Sequence, residues 1–491
     1  MLDKVQEDRL RKLEAIRALG VDPYGHRYDT AQPINAVLAG YQDDVEGQTA
    51  DAAGRVILLR DMGKMMFGHI RDETHPKGIQ ICLRKDQPEK PPRGLSEQQW
   101  DLAKQLDLGD VVAVRGLLMK TRTGEITIFA ENMELMVKSL NPMPEKWHGL
   151  SDVQTRYRQR YLDLMSNPES LEVFKKRVKI LETFRELLKA RGFSEVETPT
   201  LGSIYGGAAA RPFTTHHNAL DIDLFMRISP ELYLKRLLVG GMERVYEFAK
   251  VFRNEGIDTR HNPEFTLMEL YQAYADYNIM MDITEELIAG SAMRVGGDLQ
   301  LPYGERTMDY TRPWKRAKYR DLVLEHAGVD WKDDAAVRAK ARELKIDEAN
   351  KDLAVVVNEV FEATVEPALA KENFPTFVID YPAEMCPLTR RDPNDPTVAL
   401  RFECFAAGME LANAYTELND PFIQEENFSQ QVRGEAANET MRVMDEDFVT
   451  ALRHGMPPAG GLGIGIDRII MLLTNTQSIR DVVLFPLLRP E

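Results

Sequence analysis

The sequence predicts an α+β protein made of a small N-terminal β-barrel and a larger domain of strands and helices. Three observations carry that prediction. At 491 residues the chain is too long for one ordinary core. Residues 55–139 hold short β-rich segments separated by turn residues. Beyond a Pro-rich stretch, amphipathic helical patterns and aromatic, β-branched runs follow one another. A hydrophobic fraction of 43% beside 29% charged residues is that of an ordinary globular chain. No apolar run approaches the ~20 residues that a membrane helix needs.

Residues 1–54 read as a lead-in. MLDKVQEDRLRKLEAIRALG is an amphipathic helix and lacks a secretory apolar segment, so a cytoplasmic protein is expected. Cys82, Cys386 and Cys404 are scattered without metal-type spacing and read as reduced structural thiols, which fits the same compartment. The net charge of −16 argues only weakly against a nucleic-acid partner, since clustering of basic groups matters more than their total. Lys4, Arg9, Arg11, Lys12 and Arg17 lie on the first helix, and composition alone makes them a solvated face.

Five short strands are expected over 56–60, 65–71, 78–84, 110–119 and 125–129, with a helical insert around 96–106. That pattern fits a barrel of the oligonucleotide-binding (OB) type, which holds unpaired bases by stacking and by hydrogen bonds to their edges. Residues 140–155, containing LNPMPEKWHGL, form a linker, and 156–491 the larger domain. Arg156, Arg158 and Arg160 open it as a hinge, an RNA contact or a solvated helix face. A helix over 173–192 carries Val178, Leu181, Phe184, Leu187 and Leu188 and ends at Gly192. FSEVETPTL follows as a strand closed by Pro199, which cannot donate to a ladder.

Next come two strands joined by a polar loop at 254–263. On the second strand Phe265, Leu267, Glu269 and Tyr271 share one face. Residues 317–371 read as charged helical segments, an insertion without chemistry packed against the sheet. RFECFAAGMELANAYTEL spaces Glu403, Glu410 and Glu417 seven apart; paired acids of this kind are normally exposed. Asn413, Tyr415 and Glu417 share a face, but Glu410 has the opposite parity. One site for both therefore needs a bend or bulge, for which Gly408 is the candidate start. In GLGIGIDRIIMLL, Gly461, Gly463 and Gly465 alternate along a strand that feeds a helix and leave room for a ligand at the backbone. The spacing is not that of a dinucleotide fingerprint.

FRNEG, HNPEFT and ELYQAYADY, together with GGAAARPFTTHHNALDIDLFMRISPELYLKR and the two stretches just quoted, resemble the class II aminoacyl-tRNA synthetases, specifically the lysine enzymes. The resemblance covers nearly the whole chain. It implies a class II catalytic domain, an antiparallel sheet flanked by helices, and an OB domain that reads the anticodon through Arg60, Phe67 and Gln80. By themselves a lone Phe and Gln in a barrel are more often structural. It implies ATP-dependent activation of L-lysine to lysyl-adenylate on Mg²⁺ and transfer to the 3′ end of tRNA(Lys). It also implies a homodimer built on the helix–strand–Pro unit.

The same resemblance assigns the residues. Arg253 contacts the α-phosphate and the amino acid's carboxylate, and Arg468 the γ-phosphate; a lone arginine would otherwise be a surface ion pair. Glu255, His261 and Asn262 contact the nucleotide, adenine stacks on Phe265, and Gly465 belongs to the surface against adenine. Glu403 and Glu410 face Mg²⁺. Glu269, Tyr271 and Glu417 surround the lysine side-chain amine, Glu231 and Gly207 hold the amino-acid end, and Asn413 fixes the carboxylate. Aspartate and asparagine enzymes share the architecture, but these carboxylates would repel aspartate. A paralogue that lysylates protein would lack the barrel, and a pure nucleic-acid-binding protein would have no use for Arg253, Arg468 and the acidic pair. The family's Ser-Pro-Leu-Ala-Lys segment is here Cys386-Pro387-Leu388-Thr389-Arg390, a departure expected to affect only local packing.

Overall fold

The computed structural model describes residues 4–87, 93–144, 150–208, 210–433 and 445–490, with side chains described outside 430–433. The middle of the expected linker, 145–149, lies outside the described residues. The chain divides into two compact units, residues 1–168 and 169–491.

In the first unit, helices α1 (Lys4–Ala18) and α2 (Ile34–Gly40) precede strands β1 (Thr49–Asp61), β2 (Met65–Arg71) and β3 (Ile79–Arg84). Helix α3 (Glu97–Ala103) is capped by Ser96, whose Oγ accepts from Gln99 N at 3.3 Å, and leads to β4 (Val111–Lys120) and β5 (Ile126–Val137). The strands close a barrel in the order β1-β2-β3-β5-β4. The OB-type expectation is met, but β1 starts seven residues early and β5 runs eight residues past the expected end (49 against 56, 137 against 129). TADAAGR has weak strand propensity, and pairing with β4 from Thr49↔Leu117 to Arg55↔Val111 overrides it. The basic face of α1 is partly an internal clamp. Arg9 is buried and donates to the carbonyls of Ser139, Asn141 and Leu108, and Lys12 meets Asp107 at 2.6 Å. Helices α4 (Val153–Arg158) and α5 (Arg160–Ser166) close the unit. Arg156 and Arg160 both hold the buried Asp163, at 2.7 and 2.6 Å, so two of the three clustered arginines are structural.

The second unit opens with α6 (Pro168–Ala190), β6 (Ser194–Glu195), β7 (Leu201–Gly202), β8 (Thr214–His217), β9 (Ile222–Met226) and α7 (Glu231–Val239). The strand expected in FSEVETPTL shrinks to β6, well before Pro199, because only two residues reach a partner. β10 (Arg244–Phe252), β11 (Glu264–Ala273), α8 (Tyr277–Gly296), the hairpin β12 (Gln300–Tyr303) and β13 (Arg306–Asp309), and β14 (Lys315–Lys318) come next. The insertion contains α9 (Tyr319–Ala327), α10 (Asp334–Glu343), α11 (Leu353–Thr364) and α12 (Glu366–Leu369). β15 (Thr376–Pro382), β16 (Val398–Ala406), β17 (Met409–Thr416), α13 (Pro421–Arg433), α14 (Glu446–Arg453), β18 (Ala459–Gly465), α15 (Ile466–Leu473) and α16 (Ile479–Val482) complete it.

An eight-stranded sheet, ordered β14-β15-β16-β17-β18-β11-β10-β6, is the frame. Its inner pairings are antiparallel, and the two edge pairings, β14 with β15 and β6 with β10, are parallel. One face is the core: Phe402, Cys404, Ala412, Ala414, Leu462, Ile464, Met268 and Leu270 bury against Ile283, Leu287, Ile469 and Ile470 of α8 and α15. Each of the larger side chains contributes about 1.5–3 kcal/mol by leaving water. The insertion packs a separate core on β15, where Tyr319 stacks on Phe361 at 4.4 Å. Cys82, Cys386 and Cys404 are free thiols, all buried.

Candidate active site

The opposite face of the sheet carries the chemistry. Register aligns Glu247, Glu269, Gly463, Asn413 and Glu403 in one row across five strands. Two residues along, Tyr271, Gly461, Tyr415 and Arg401 form a second row. Period-two alternation puts both rows on one face, with Phe265 and Leu267 continuing it. Glu269, Tyr271, Asn413, Glu403 and Arg253 line a cavity of ≈ 800 Å³ together with Gly207, Glu231 and Glu410.

Glu410 reaches this face through a bulge. Phe405 pairs with Glu410 and Cys404 with Ala412, so Leu411 is the extra residue. The bulge is therefore at Leu411, not at Gly408. Gly408, with Ala407, supplies the left-handed turn between β16 and β17 (φ 74° and 52°). Asn413 Nδ2 then donates to Glu410 Oε1 at 3.1 Å.

Part of the cavity wall is anionic, Glu231 and Glu269, and Glu417 lies not in the lining but against Gly461. Ser229 Oγ donates to Glu269 Oε1 at 2.8 Å and Tyr271 OH to Oε2 at 3.1 Å. Glu231, in the first turn of α7, is held by Lys235 one turn on, Nζ to Oε1 2.6 Å. The same ammonium lies 2.5 Å from Glu417 Oε2. Glu417 Oε1 is buried without a hydrogen-bond partner among the described residues. Burial pushes Glu269 up to about 8, and the charge of Glu231 adds to it. Burial also pushes Glu417 up to about 8, against the pull of Lys235. These carboxylates are short of positive charge. Gly207 stands at φ 82°, where a Cβ would sit 2.9 Å from Ser229 Oγ, so no larger residue fits.

The three glycines of β18 do different things. At Gly461 a Cβ would collide with the Glu417 carboxylate and the Tyr271 ring, so protein side chains, not a ligand, fill that gap. At Gly463 and Gly465 a Cβ would have only ordinary contacts, 3.4 Å or more away.

The wall also carries Arg253, Arg401, Glu403 and Glu410, whereas Glu255, His261, Asn262, Phe265, Gly465 and Arg468 are not in its lining. The Arg253 guanidinium lies 5.1 Å from the Phe265 ring centroid, and burial lowers its proton affinity. Arg468 donates to Glu410 O at 2.7 Å and lies 3.2 Å from His261 Nε2, while His261 Nδ1 is 2.8 Å from Asp258. Glu255 is exposed at the loop. Asn262 is buried, its Nδ2 donating to Glu264 O at 2.6 Å. Glu403 accepts from Tyr381 OH at 2.8 Å and pairs with Arg401. Burial raises Glu403 to about 7, with Arg401 pulling down and Glu410 pushing up. Among the described residues no three His, Cys, Asp or Glu side chains converge as a metal cage.

On the barrel, Arg60 faces Phe67 across β1 and β2, and Gln80 faces His69 across β2 and β3. Gln80 Nε2 donates to Glu125 Oε2 at 2.7 Å, and His69 Nε2 lies 2.7 Å from Glu125 Oε1.

Sequence reading missed several parts of the cavity. Cys386, Pro387, Leu388 and Thr389 line it, so the departure from Ser-Pro-Leu-Ala-Lys touches the site and not only local packing. The insertion, expected to be without chemistry, supplies Asp352, Ala354 and Val355 to its wall. Lys235 gave a single signal, its i,i+4 spacing from Glu231, and that spacing is common on solvated helices.

Residues 152–489 match the family described as tRNA synthetases class II (D, K and N), and residues 52–136 the OB-fold nucleic acid binding domain. The chain is 50% identical to the lysine–tRNA ligase of Carboxydothermus hydrogenoformans, covering 100% of this chain and 99% of the relative. It is 48% identical to that of Pelotomaculum thermopropionicum over 100% and 96%, and 47% identical to that of Bacillus subtilis over 98% and 96%.

Proposed function

The chain belongs to the class II tRNA synthetases, in their lysine branch, and joins lysine to tRNA with ATP; from that premise we propose how its residues do so. The lysine carboxylate oxygen attacks the α-phosphorus of ATP, the bond to the bridging oxygen breaks, and pyrophosphate leaves. The terminal ribose hydroxyl of tRNA(Lys) then attacks the carbonyl carbon of lysyl-adenylate, and AMP departs. Positioning and charge stabilisation supply the acceleration.

Glu417, Tyr271 and Glu269 take the side-chain ammonium, Glu231 and Gly207 the α-ammonium, and Asn413 the carboxylate. Arg253 bridges that carboxylate and the α-phosphate where charge develops, and Arg468 meets the γ-phosphate. Adenine lies on Phe265 against the backbone near Gly465, with Glu255 and His261 at the phosphates and Asn262 bracing their loop. Glu403 and Glu410 fit Mg²⁺, which uses one or two carboxylates with phosphate and water and needs no cage. Both carboxylates line the same cavity, and that supports the assignment. An ion held there by Glu403 and Glu410 would neutralise phosphate charge. Arg60, Phe67 and Gln80 take anticodon bases.

We also place the reaction in a cytoplasmic homodimer. β6 is a sheet edge, and Leu201 and Ile222, on the paired strands β7 and β9, are exposed apolar residues that suit a second copy. Sedimentation at twice the 55.9 kDa chain mass tests this. Among the described residues no helix is long and apolar enough to cross a membrane.

The observation that carries the lysine assignment is three buried carboxylates, Glu231, Glu269 and Glu417, gathered around a single buried ammonium, a group that asks for further positive charge. The test is exchange of labelled pyrophosphate into ATP with each of the twenty amino acids, with Mg²⁺ and without tRNA. Exchange with lysine alone is expected. Exchange with aspartate or asparagine overturns the pocket assignment, and none at all overturns the catalytic one.

A further inference from the structure

Lys235 is wholly buried, yet its ammonium is not used by the chemistry just described. It sits 2.6 Å from Glu231 and 2.5 Å from Glu417, two carboxylates that come from α7 and from beyond β17. The rings of Tyr271, Tyr415 and Phe448 surround it at 5.9, 6.0 and 6.0 Å. A surface ion pair would have solvent on one side; this one has none.

Resting on the lysine-activation reading, we propose that Lys235 is a positioning and specificity residue that fixes the charge of the amino-acid pocket. Three carboxylates, Glu231, Glu269 and Glu417, less one internal ammonium leave two, the number of ammonium groups on L-lysine. By bridging Glu231 and Glu417 from within the fold, Lys235 also holds the two carboxylates in place against their mutual repulsion, one for each end of the substrate. Burial alone would drive the proton off Lys235, but the charges of Glu231 and Glu417 hold it above its ordinary affinity. The remaining groups facing this centre are Tyr271 and Glu269 on β11 and Tyr415 on β17; Arg253 closes the far side of the cavity, and the Arg236–Asp445 pair packs against Phe448.

Without Lys235, Glu231 and Glu417 would repel, and one would take up a proton that lysine must then displace. In Lys235→Met, the KM for lysine in pyrophosphate exchange should rise about tenfold or more. The pH midpoint of lysine binding should move up by about one unit, which is the same free energy. The KM for ATP should hardly move, and inhibition by L-norleucine, which keeps the α-ammonium for Glu231 but lacks the side-chain ammonium, should weaken less than lysine binding. Parallel losses for lysine, ATP and norleucine, or an unmoved pH midpoint, would show Lys235 to be merely structural. If the variant does not fold, nitrogen-15 spectra of the wild-type lysine side chains decide. The Lys235 ammonium should stay protonated and slowly exchanging at pH 9 and shift when lysine saturates the protein, whereas a neutral amine or an indifferent signal overturns the proposal. A wild-type protein that binds no lysine would instead remove the reading on which this rests.

Discussion

In the proposed site Glu269 and Glu417 are the carboxyls that meet the side-chain ammonium of the substrate. Both stand near 8 because burial penalises the anion, so their charged fraction grows as pH rises through that value. Lysine binds the charged forms. Its affinity should therefore fall as pH drops below about 8, and binding at pH 7 should release protons, seen as buffer-dependent heats in calorimetry. A binding constant flat between pH 6 and 9 would contradict the assignment. Folding has the opposite sign. A carboxyl raised in the folded state contributes stability that fades as pH climbs from its ordinary 4.5 toward 8, so lysine should raise the melting temperature more at pH 9 than at 6.5. Glu417→Gln removes one partner of a buried charge contact and should cost about 3 kcal/mol, or roughly 10²-fold in the KM for lysine. That Glu269 and Tyr271 share a cavity wall was legible because their strings resemble a family and their parity agrees, whereas Glu417, beyond the end of β17, is not in the lining. Lys235 was not legible, because burial of a lysine four residues after a glutamate depends on what three other elements pack over it.

Strands β17 and β18 show how elements convert spacing into a site. Glu410 has the wrong parity in the string, and the bulge at Leu411 corrects it. An apolar residue gives no warning of a bulge, whereas Gly408 does, and Gly408 proved to be the turn. Likewise the alternation of Gly461, Gly463 and Gly465 predicted an open surface correctly only in part, since Glu417 and Tyr271 occupy the space above the first glycine. Gly461→Ala should then act on the amino-acid pocket alone. The added methyl must displace the Glu417 carboxylate or the Tyr271 ring, raising the KM for lysine about tenfold or more while the KM for ATP changes little; the price of one displaced buried contact is of order 1–3 kcal/mol. Equal effects on both substrates in the exchange assay would mean that the strand itself, rather than the pocket, had failed.

At the scale of the molecule, the residues proposed for lysine activation all fall within 169–491, while the aromatic and polar face expected to read RNA lies on the barrel. The two-domain plan was visible in the sequence, since turn residues punctuate the barrel strands; the start of β1 was not, since pairing with β4 overrides the weak propensity of its first residues. Division of labour between the units separates their variants. Phe67→Ala removes a half-buried ring that pairs across the sheet with Arg60, and loss of one stacked base costs about 1–3 kcal/mol. The KM for tRNA should rise roughly five- to 150-fold, and lysine-dependent pyrophosphate exchange, which proceeds without tRNA, should be unchanged. Gln80→Ala should weaken tRNA as well, and it also frees Glu125 and so alters the partner of His69. If Phe67→Ala lowers exchange and tRNA charging alike, the ring supports the fold and does not touch RNA. If neither falls, the anticodon is read elsewhere on the barrel.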